Sequence, residues 1–418
     1  MVGCSSLRIE SNILRVSQES NISKLKCFLL FTSDSSSSSE AAFIFIHKMA
    51  AAAVETKRST DDNILRNSKY LKGVQYLVEK GVKQIPDAYI QPPHPRVNIT
   101  KFECSNEVPV IDLAGLRDDG RRSEVVAEIK NASERWGFFQ VINHGVPVPV
   151  IERMMDVSRR FHELPTEEKM MYHVADPSEF LSRTHRFQTI FNAEKQTVLE
   201  WRDSLDQECY PPPDDDKWLK NPIDYRDAAM DYSGEVRKLA KLLLAFMSEG
   251  LNLSSENLEK CLGDEFKQTF LINHYPPCPN PELVLGVNSH SDPSALTVLL
   301  QDEIGGLQVF HEGNWFDVKP LANAFVINVG DEVEVLSNGI YKSVAHRAIR
   351  RIGDSARISI PTFCLPSMEA KIGPIAELTK TNPPLYKEHL FSEVVSHFRS
   401  EYYDGKSCLD NFKLPTKT

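Results

Sequence analysis

The runs Ala295-Leu-Thr-Val-Leu-Leu300, Leu307-Gln-Val-Phe310, Trp315-Phe-Asp-Val318 and Ala324-Phe-Val-Ile-Asn-Val329 decide the fold. Each is short, rich in β-branched and aromatic residues, and bounded by Gly, Pro or Asn, which is the punctuation of strands. The same texture extends outward, to Phe270–Tyr275 on one side and to Ser343–Ile349 and Ala356–Phe363 on the other. Seven such runs in close succession predict a β-sandwich or jelly roll.

Upstream the period changes from two to nearly four. Glu124–Trp136, with Val125, Ile129 and Trp136 as apolar marks, predicts an amphipathic helix, as do Val150–Leu164 and Tyr232–Glu249. Val108-Pro-Val-Ile-Asp-Leu and Gly137-Phe-Phe-Gln-Val-Ile-Asn read as short strands, the second closing in a turn at His144-Gly145. A short helix is expected over Ile64–Gly81, a Pro-rich linker over Pro92–Pro95, and a final helix over Tyr386–Ser400. The expectation is an α+β protein with a jelly-roll core over residues 211–418 and an α-rich N-terminal region over 63–210. Residues 1–62, with serines from Ser35 to Ser39 and alanines from Ala50 to Ala53, form a leader expected to be disordered. Its acidic residues make it a poor transit peptide, and Met49 is an alternative start.

Charge excludes some functions. With 48 Lys plus Arg against 58 Asp plus Glu, the net charge of −10 argues against a nucleic-acid partner. Ala41–Ile46 and Met49–Val54 are too short for a signal-peptide core or for the roughly 20 apolar residues of a membrane span. The 8 cysteines show no zinc-like spacing and read as reduced thiols in a cytoplasmic protein. A monomer is expected.

His290-Ser-Asp292 carries the chemistry. Side chains two apart on a strand point the same way, so one segment offers an imidazole and a carboxylate together. Among the 12 histidines only this one has an acid two positions on. His346, in another strand-like run, supplies a third ligand. Two histidines and a carboxylate on one face of a metal leave positions open, as in non-haem iron(II) oxygenases; zinc in the same set would imply hydrolysis. Further on, Arg357-Ile-Ser359 places a guanidinium and a hydroxyl on one strand face, suited to the distal carboxylate of a dicarboxylate such as 2-oxoglutarate. Asn273 and Tyr275, also two apart, add polar contacts.

Trp136-Gly-Phe-Phe-Gln-Val-Ile-Asn-His-Gly, Asn273-His-Tyr-Pro-Pro-Cys-Pro, His290-Ser-Asp-Pro-Ser-Ala-Leu-Thr, Leu336-Ser-Asn-Gly and Arg357-Ile-Ser resemble the plant 2-oxoglutarate-dependent dioxygenases over about residues 73–412. The termini look most like those of the coumaroyl- and feruloyl-CoA ortho-hydroxylases and scopoletin hydroxylases. The resemblance implies a double-stranded β-helix with His290, Asp292 and His346 on iron(II), and Arg357, Ser359, Asn273 and Tyr275 on 2-oxoglutarate. It also implies dioxygen as oxidant, ascorbate as reductant, and hydroxylation or desaturation of a small aromatic metabolite stacked on Phe363. Two rivals share the fold: an oxidase using ascorbate in place of the oxo acid, and a catalytically silent binding protein. Ser291, where Thr is common, and the acidic run Asp331-Glu-Val-Glu334 depart from the pattern.

Overall fold

Alternation within Leu296–Gln301 builds two layers at once. Leu296, Val298 and Leu300 enter a large core shared with helices, while Leu299 turns the other way, into a smaller cluster that a second sheet completes. The structure, a computed structural model, describes residues 72–92, 108–174, 184–189, 198–400 and 407–415. The leader expected over 1–62 therefore lies outside the described residues, as do the start of the helix expected from Ile64 and most of the Pro-rich linker.

Fourteen strands are described: β1 (Val110–Asp112), β2 (Phe138–Ile142), β3 (His185–Gln188), β4 (Asp203–Tyr210), β5 (Lys267–Tyr275), β6 (Leu285–His290), β7 (Leu296–Gln301), β8 (Leu307–His311), β9 (Asn314–Asp317), β10 (Phe325–Val329), β11 (His346–Ile349), β12 (Arg357–Leu365), β13 (Lys371–Ile372) and β14 (His389–Leu390). They form an eight-stranded sheet in the order β1-β2-β10-β7-β12-β5-β4-β3, a four-stranded sheet in the order β6-β11-β8-β9, and the pair β13-β14. The helices are α1 (Val74–Glu79), α2 (Asp119–Arg135), α3 (Val148–Glu163), α4 (Thr166–Met170), α5 (Tyr225–Gly250), α6 (Asn257–Cys261), α7 (Asp331–Leu336), α8 (Phe391–Ser400) and α9 (Ser407–Asp410).

The apolar stripes of α2, α3 and α5 meet the outer face of the large sheet. Val125 and Ile129, Met154 and Phe161, and Val236, Leu239 and Leu243 join Phe270, Ile272, Leu296, Val298, Phe325, Ile327, Ile358 and Ile360 in one core. Full burial of each aliphatic side chain contributes about 1.5–3 kcal/mol, so this cluster outweighs any local propensity in fixing the layers. On the inner face Phe138, Leu299 and Val326 meet Leu307, Val309 and Val318. The two β layers are the jelly roll that the strand texture predicts.

Several elements differ from the sequence reading. Helix α2 begins earlier than Glu124, because Asp118 caps it by accepting from the Arg121 N–H at 3.0 Å. The run expected over Ser343–Ile349 is a strand only from His346, since the Ser343 N–H is taken by Glu334 Oε2 at 2.6 Å instead of a ladder carbonyl. The last helix starts at Phe391, not Tyr386; His389 and Leu390 pair with Lys371 and Ile372 first. Strands β3 and β4 have no counterpart in the expected set, and they make the N-terminal half less helical than foreseen. The large sheet takes strands from both sides of residue 210.

Candidate metal centre and co-substrate site

His290 ends β6 and His346 opens β11, and the two are direct register partners. Asp292 lies two residues beyond the end of β6, so strand alternation alone does not place it; it stands on the irregular segment between β6 and β7. Each imidazole Nε2 stands 3.5 Å from Asp292 Oδ1, and one ligand atom from each of the three residues falls within 4.8 Å of the others. Among the described residues this is the single such group.

The surroundings orient every donor. His290 Nδ1 sits 2.8 Å from the Asn288 carbonyl and His346 Nδ1 3.4 Å from the Val344 carbonyl. A carbonyl only accepts, so each Nδ1 carries the proton and Nε2 is left to bind metal. Asp292 Oδ2 accepts from Thr297 Oγ1 at 2.6 Å and Asn328 Nδ2 at 2.5 Å, which leaves Oδ1 toward the imidazoles. Burial pushes the Asp292 carboxyl up, but the neighbouring imidazoles overcome this and hold it well below the usual carboxylate range. The donor set therefore suits a divalent cation bound on one face.

Ser291 faces away from the ligands, as its place in the motif predicts, and its hydroxyl donates to Asp331 Oδ2 at 3.1 Å. Ser343, on the approach to His346, donates to Asp331 Oδ1 at 2.6 Å, and the Asp331 N–H donates to the Asp292 carbonyl at 2.9 Å. The acidic run after Gly330 thus braces both arms of the triad. Gly330 permits that approach, because a Cβ there would stand 1.9 Å from the Ser294 carbonyl oxygen.

Arg357 and Ser359 share the inner face of β12, paired with Tyr275 and Asn273 on β5. Arg357 is 2 % exposed. Its guanidinium donates to Ser359 Oγ at 3.2 Å and Gln301 Oε1 at 3.1 Å and lies 4.8 Å over the Tyr275 ring. Its Nε has no partner, and among the described residues no carboxylate stands within ion-pair distance of it. Asp302 feels this charge through space without forming an ion pair, so a buried guanidinium with an open donor is left to receive an incoming anion, which is the observation that fits a dicarboxylate. Tyr275 reaches Ser359 Oγ at 3.5 Å, and Gly286 makes room for its ring. Phe363 pairs with Thr297 across β12 and β7, on the face that carries the Asp292 contact.

Sequence reasoning missed the residues that hold the site from a distance. Thr297, Asn328 and Asp331 lack any local pattern; the register that pairs Asn328 with Thr297 reveals the first two, and the packing of the start of α7 against Ser291 and Ser343 reveals the third. Glu200 and Arg202, just before β4, were also passed over. Arg202 Nη1 donates to Asn273 Oδ1 at 2.7 Å and its other donors engage Glu200.

A jelly roll carrying this triad beside a buried, unpaired arginine defines a metal-dependent oxygenase that takes an oxo acid. Comparison with known proteins agrees. The signature of the 2OG-Fe(II) oxygenase superfamily matches residues 266–366, and that of the non-haem dioxygenase in morphine synthesis N-terminal region matches residues 108–227. Protein DMR6-LIKE OXYGENASE 1 of Arabidopsis thaliana is 40% identical over 336 residues, 79% of this chain and 94% of that protein. Feruloyl CoA ortho-hydroxylase 2 of the same plant is 42% identical over 346 residues, 81% of this chain and 92% of its own. The crystal structure of JOX2 in complex with 2OG, Fe and JA superposes with a TM-score of 0.74 at 33% identity, covering 82% of this chain and 98% of that one. This chain belongs to the 2OG-Fe(II) oxygenase superfamily. It is a dioxygenase whose cofactor is iron(II) and whose co-substrate is 2-oxoglutarate.

Proposed function

We propose that this dioxygenase hydroxylates or desaturates a small aromatic plant metabolite of the phenylpropanoid, coumarin or flavonoid type, as a cytoplasmic monomer. His290, Asp292 and His346 hold the iron; Arg357 and Ser359 take the distal carboxylate of 2-oxoglutarate; Asn273 and Tyr275 contact the oxo acid; Phe363 stacks on the substrate ring. The division at residue 210 then separates an N-terminal supporting region, 63–210, from the region that bears these ligands, 211–418. Bound iron(II) with the oxo acid supplies dioxygen activation, yielding succinate and carbon dioxide beside the oxidised product. The protein contributes fixed donors, a counter-charge for the dicarboxylate, and exclusion of water.

The single observation that carries the reading is the buried Arg357 guanidinium without a carboxylate partner, on strand β12 beside the strand that anchors Asp292. Similarity to a feruloyl CoA ortho-hydroxylase supports the aromatic class. Among the described residues no helix is long and apolar enough to cross a membrane.

Anaerobic loading with iron and 2-oxoglutarate, followed by dioxygen, ascorbate and a panel of phenylpropanoids, coumarins and flavonoids, tests the proposal by mass spectrometry. A product heavier by one oxygen, or lighter by two hydrogens, with matching succinate is expected. His290→Ala and Asp292→Ala should abolish iron-dependent turnover and metal binding together; full succinate production by either variant would refute the ligand assignment.

A further inference from the structure

We infer that Glu200 and Arg202 are positioning residues for 2-oxoglutarate, fixing the Asn273 side chain so that its amide N–H groups face the co-substrate. The inference rests on the reading of Asn273 given above. It concerns two residues that belong neither to the triad nor to the Arg357-Ser359 pair.

The segment carrying them is held firmly. The Leu199 N–H donates to the Ala88 carbonyl at 2.7 Å and the Trp201 N–H to the Leu285 carbonyl at 2.8 Å. The Trp201 ring is buried beside Val74, Tyr89 and Val284, and its indole N–H reaches the carbonyls of Pro276 and Pro277 at 3.2 and 3.3 Å. Those prolines directly follow Tyr275, so the indole locks the end of β5 on which Asn273 and Tyr275 stand.

From this anchored backbone Arg202 Nε and Nη2 grip Glu200 Oε2 at 2.9 and 2.8 Å, and Nη1 donates to Asn273 Oδ1 at 2.7 Å. A guanidinium has donors only, so the Asn273 atom facing it must be the carbonyl oxygen. That settles the amide's orientation on chemical grounds. The Nδ2 end then turns away from Arg202, and it makes no hydrogen bond to the described residues. Asn273 pairs in register with Ser359, one step from Arg357 opposite Tyr275, so the amide donor lies on the anion-seeking face.

Charge explains why the partner is a salt-bridged arginine. Glu200 neutralises Arg202, so the pair steers the amide without competing with Arg357 for the oxo acid. Glu200 Oε1 also accepts the Asn288 N–H at 2.8 Å, and the Asn288 carbonyl receives His290 Nδ1. One ion pair thereby ties the co-substrate strand to the strand that ends in a metal ligand.

The test is an anaerobic titration of iron-loaded protein with 2-oxoglutarate, with metal affinity and melting midpoint measured in parallel. Arg202→Met should raise the 2-oxoglutarate Kd about tenfold, the loss of one hydrogen bond to a charged group. Metal affinity and kcat at saturating 2-oxoglutarate should stay within about twofold. Arg202→Lys, whose ammonium also only donates, should recover most of the loss. In an Asn273→Ala background Arg202→Met should add nothing. Glu200→Gln/Arg202→Met, which removes both charges and keeps an acceptor for Asn288, should match the single variant and guards against misfolding through a stranded carboxylate. An unchanged Kd in Arg202→Met, or a further loss in the Asn273→Ala background, would overturn the inference while leaving the reading intact. Wild-type protein that binds metal but no 2-oxoglutarate would overturn the reading and the inference with it.

Discussion

Arg357 shows at the residue scale how an energetic anomaly points to chemistry. Its guanidinium is buried, hydrogen-bonded only to neutral oxygens, and short of a carboxylate. Replacing it with Ala should raise the 2-oxoglutarate KM by at least about tenfold with a smaller change in kcat, measured by succinate release. Arg357→Lys keeps the charge but loses the fork and should fall between. An unchanged KM would remove Arg357 from the site. His290 with Asp292 and Arg357 with Ser359 stand out as candidates in the sequence because each pair is local, separated by a single residue. Thr297, Asn328, Asp331, Glu200 and Arg202 do not, since what they do depends on partners distant in sequence that only the folded chain brings close. The two departures from the family pattern, Ser291 and the Asp331–Glu334 run, turn out to be partners of one another.

Among elements, the strands facing the helical core were the readable ones, because their buried faces are aliphatic. Strand β4 escaped notice since its inner residues Ser204, Asp206 and Glu208 are polar, and its apolar mates Leu205 and Cys209 are too few to set a period. The start of α7 depends on Gly330. Gly330→Ala should cost roughly 2–3 kcal/mol or more by driving a methyl group against the Ser294 backbone, and should weaken metal binding through the Asp292 loop; chemical denaturation and metal titration check both. Helix α3 and β5 meet through His162 and His274, stacked with ring centroids 4.6 Å apart. Burial first, then nearby positive charge, depresses both imidazoles, His274 to about 3. Their unfolded counterparts protonate near pH 6.5, so this contribution is complete above that value and shrinks as pH falls toward about 3. Asp203, raised by burial to about 6, acts in the opposite sense: its contribution is lost as pH rises through that value. His274→Phe should therefore flatten the fall in stability between pH 6.5 and 5 in urea unfolding; equal slopes in variant and parent would contradict this.

For the whole molecule, the metal and the core are separable. The large cluster between helices and sheet owes nothing to the triad. Chelation should accordingly abolish turnover yet leave a cooperative melt, lowered by only a few degrees through loss of bound ligand, as calorimetry with and without chelator would record. Collapse of the melt on chelation would mean that the triad is part of the fold. The same sheet order bears on how such a chain can be cut. Strand β2 is hydrogen-bonded to β10, and β4 to β5, so each flank of the catalytic strands is closed by a segment synthesised before it. A fragment starting at residue 211 would bare two long edges, each open to strand exchange with its neighbours. The half that bears the candidate ligands thus depends on β2 and β4, both laid down earlier in the chain, to cover its hydrogen-bonding edges.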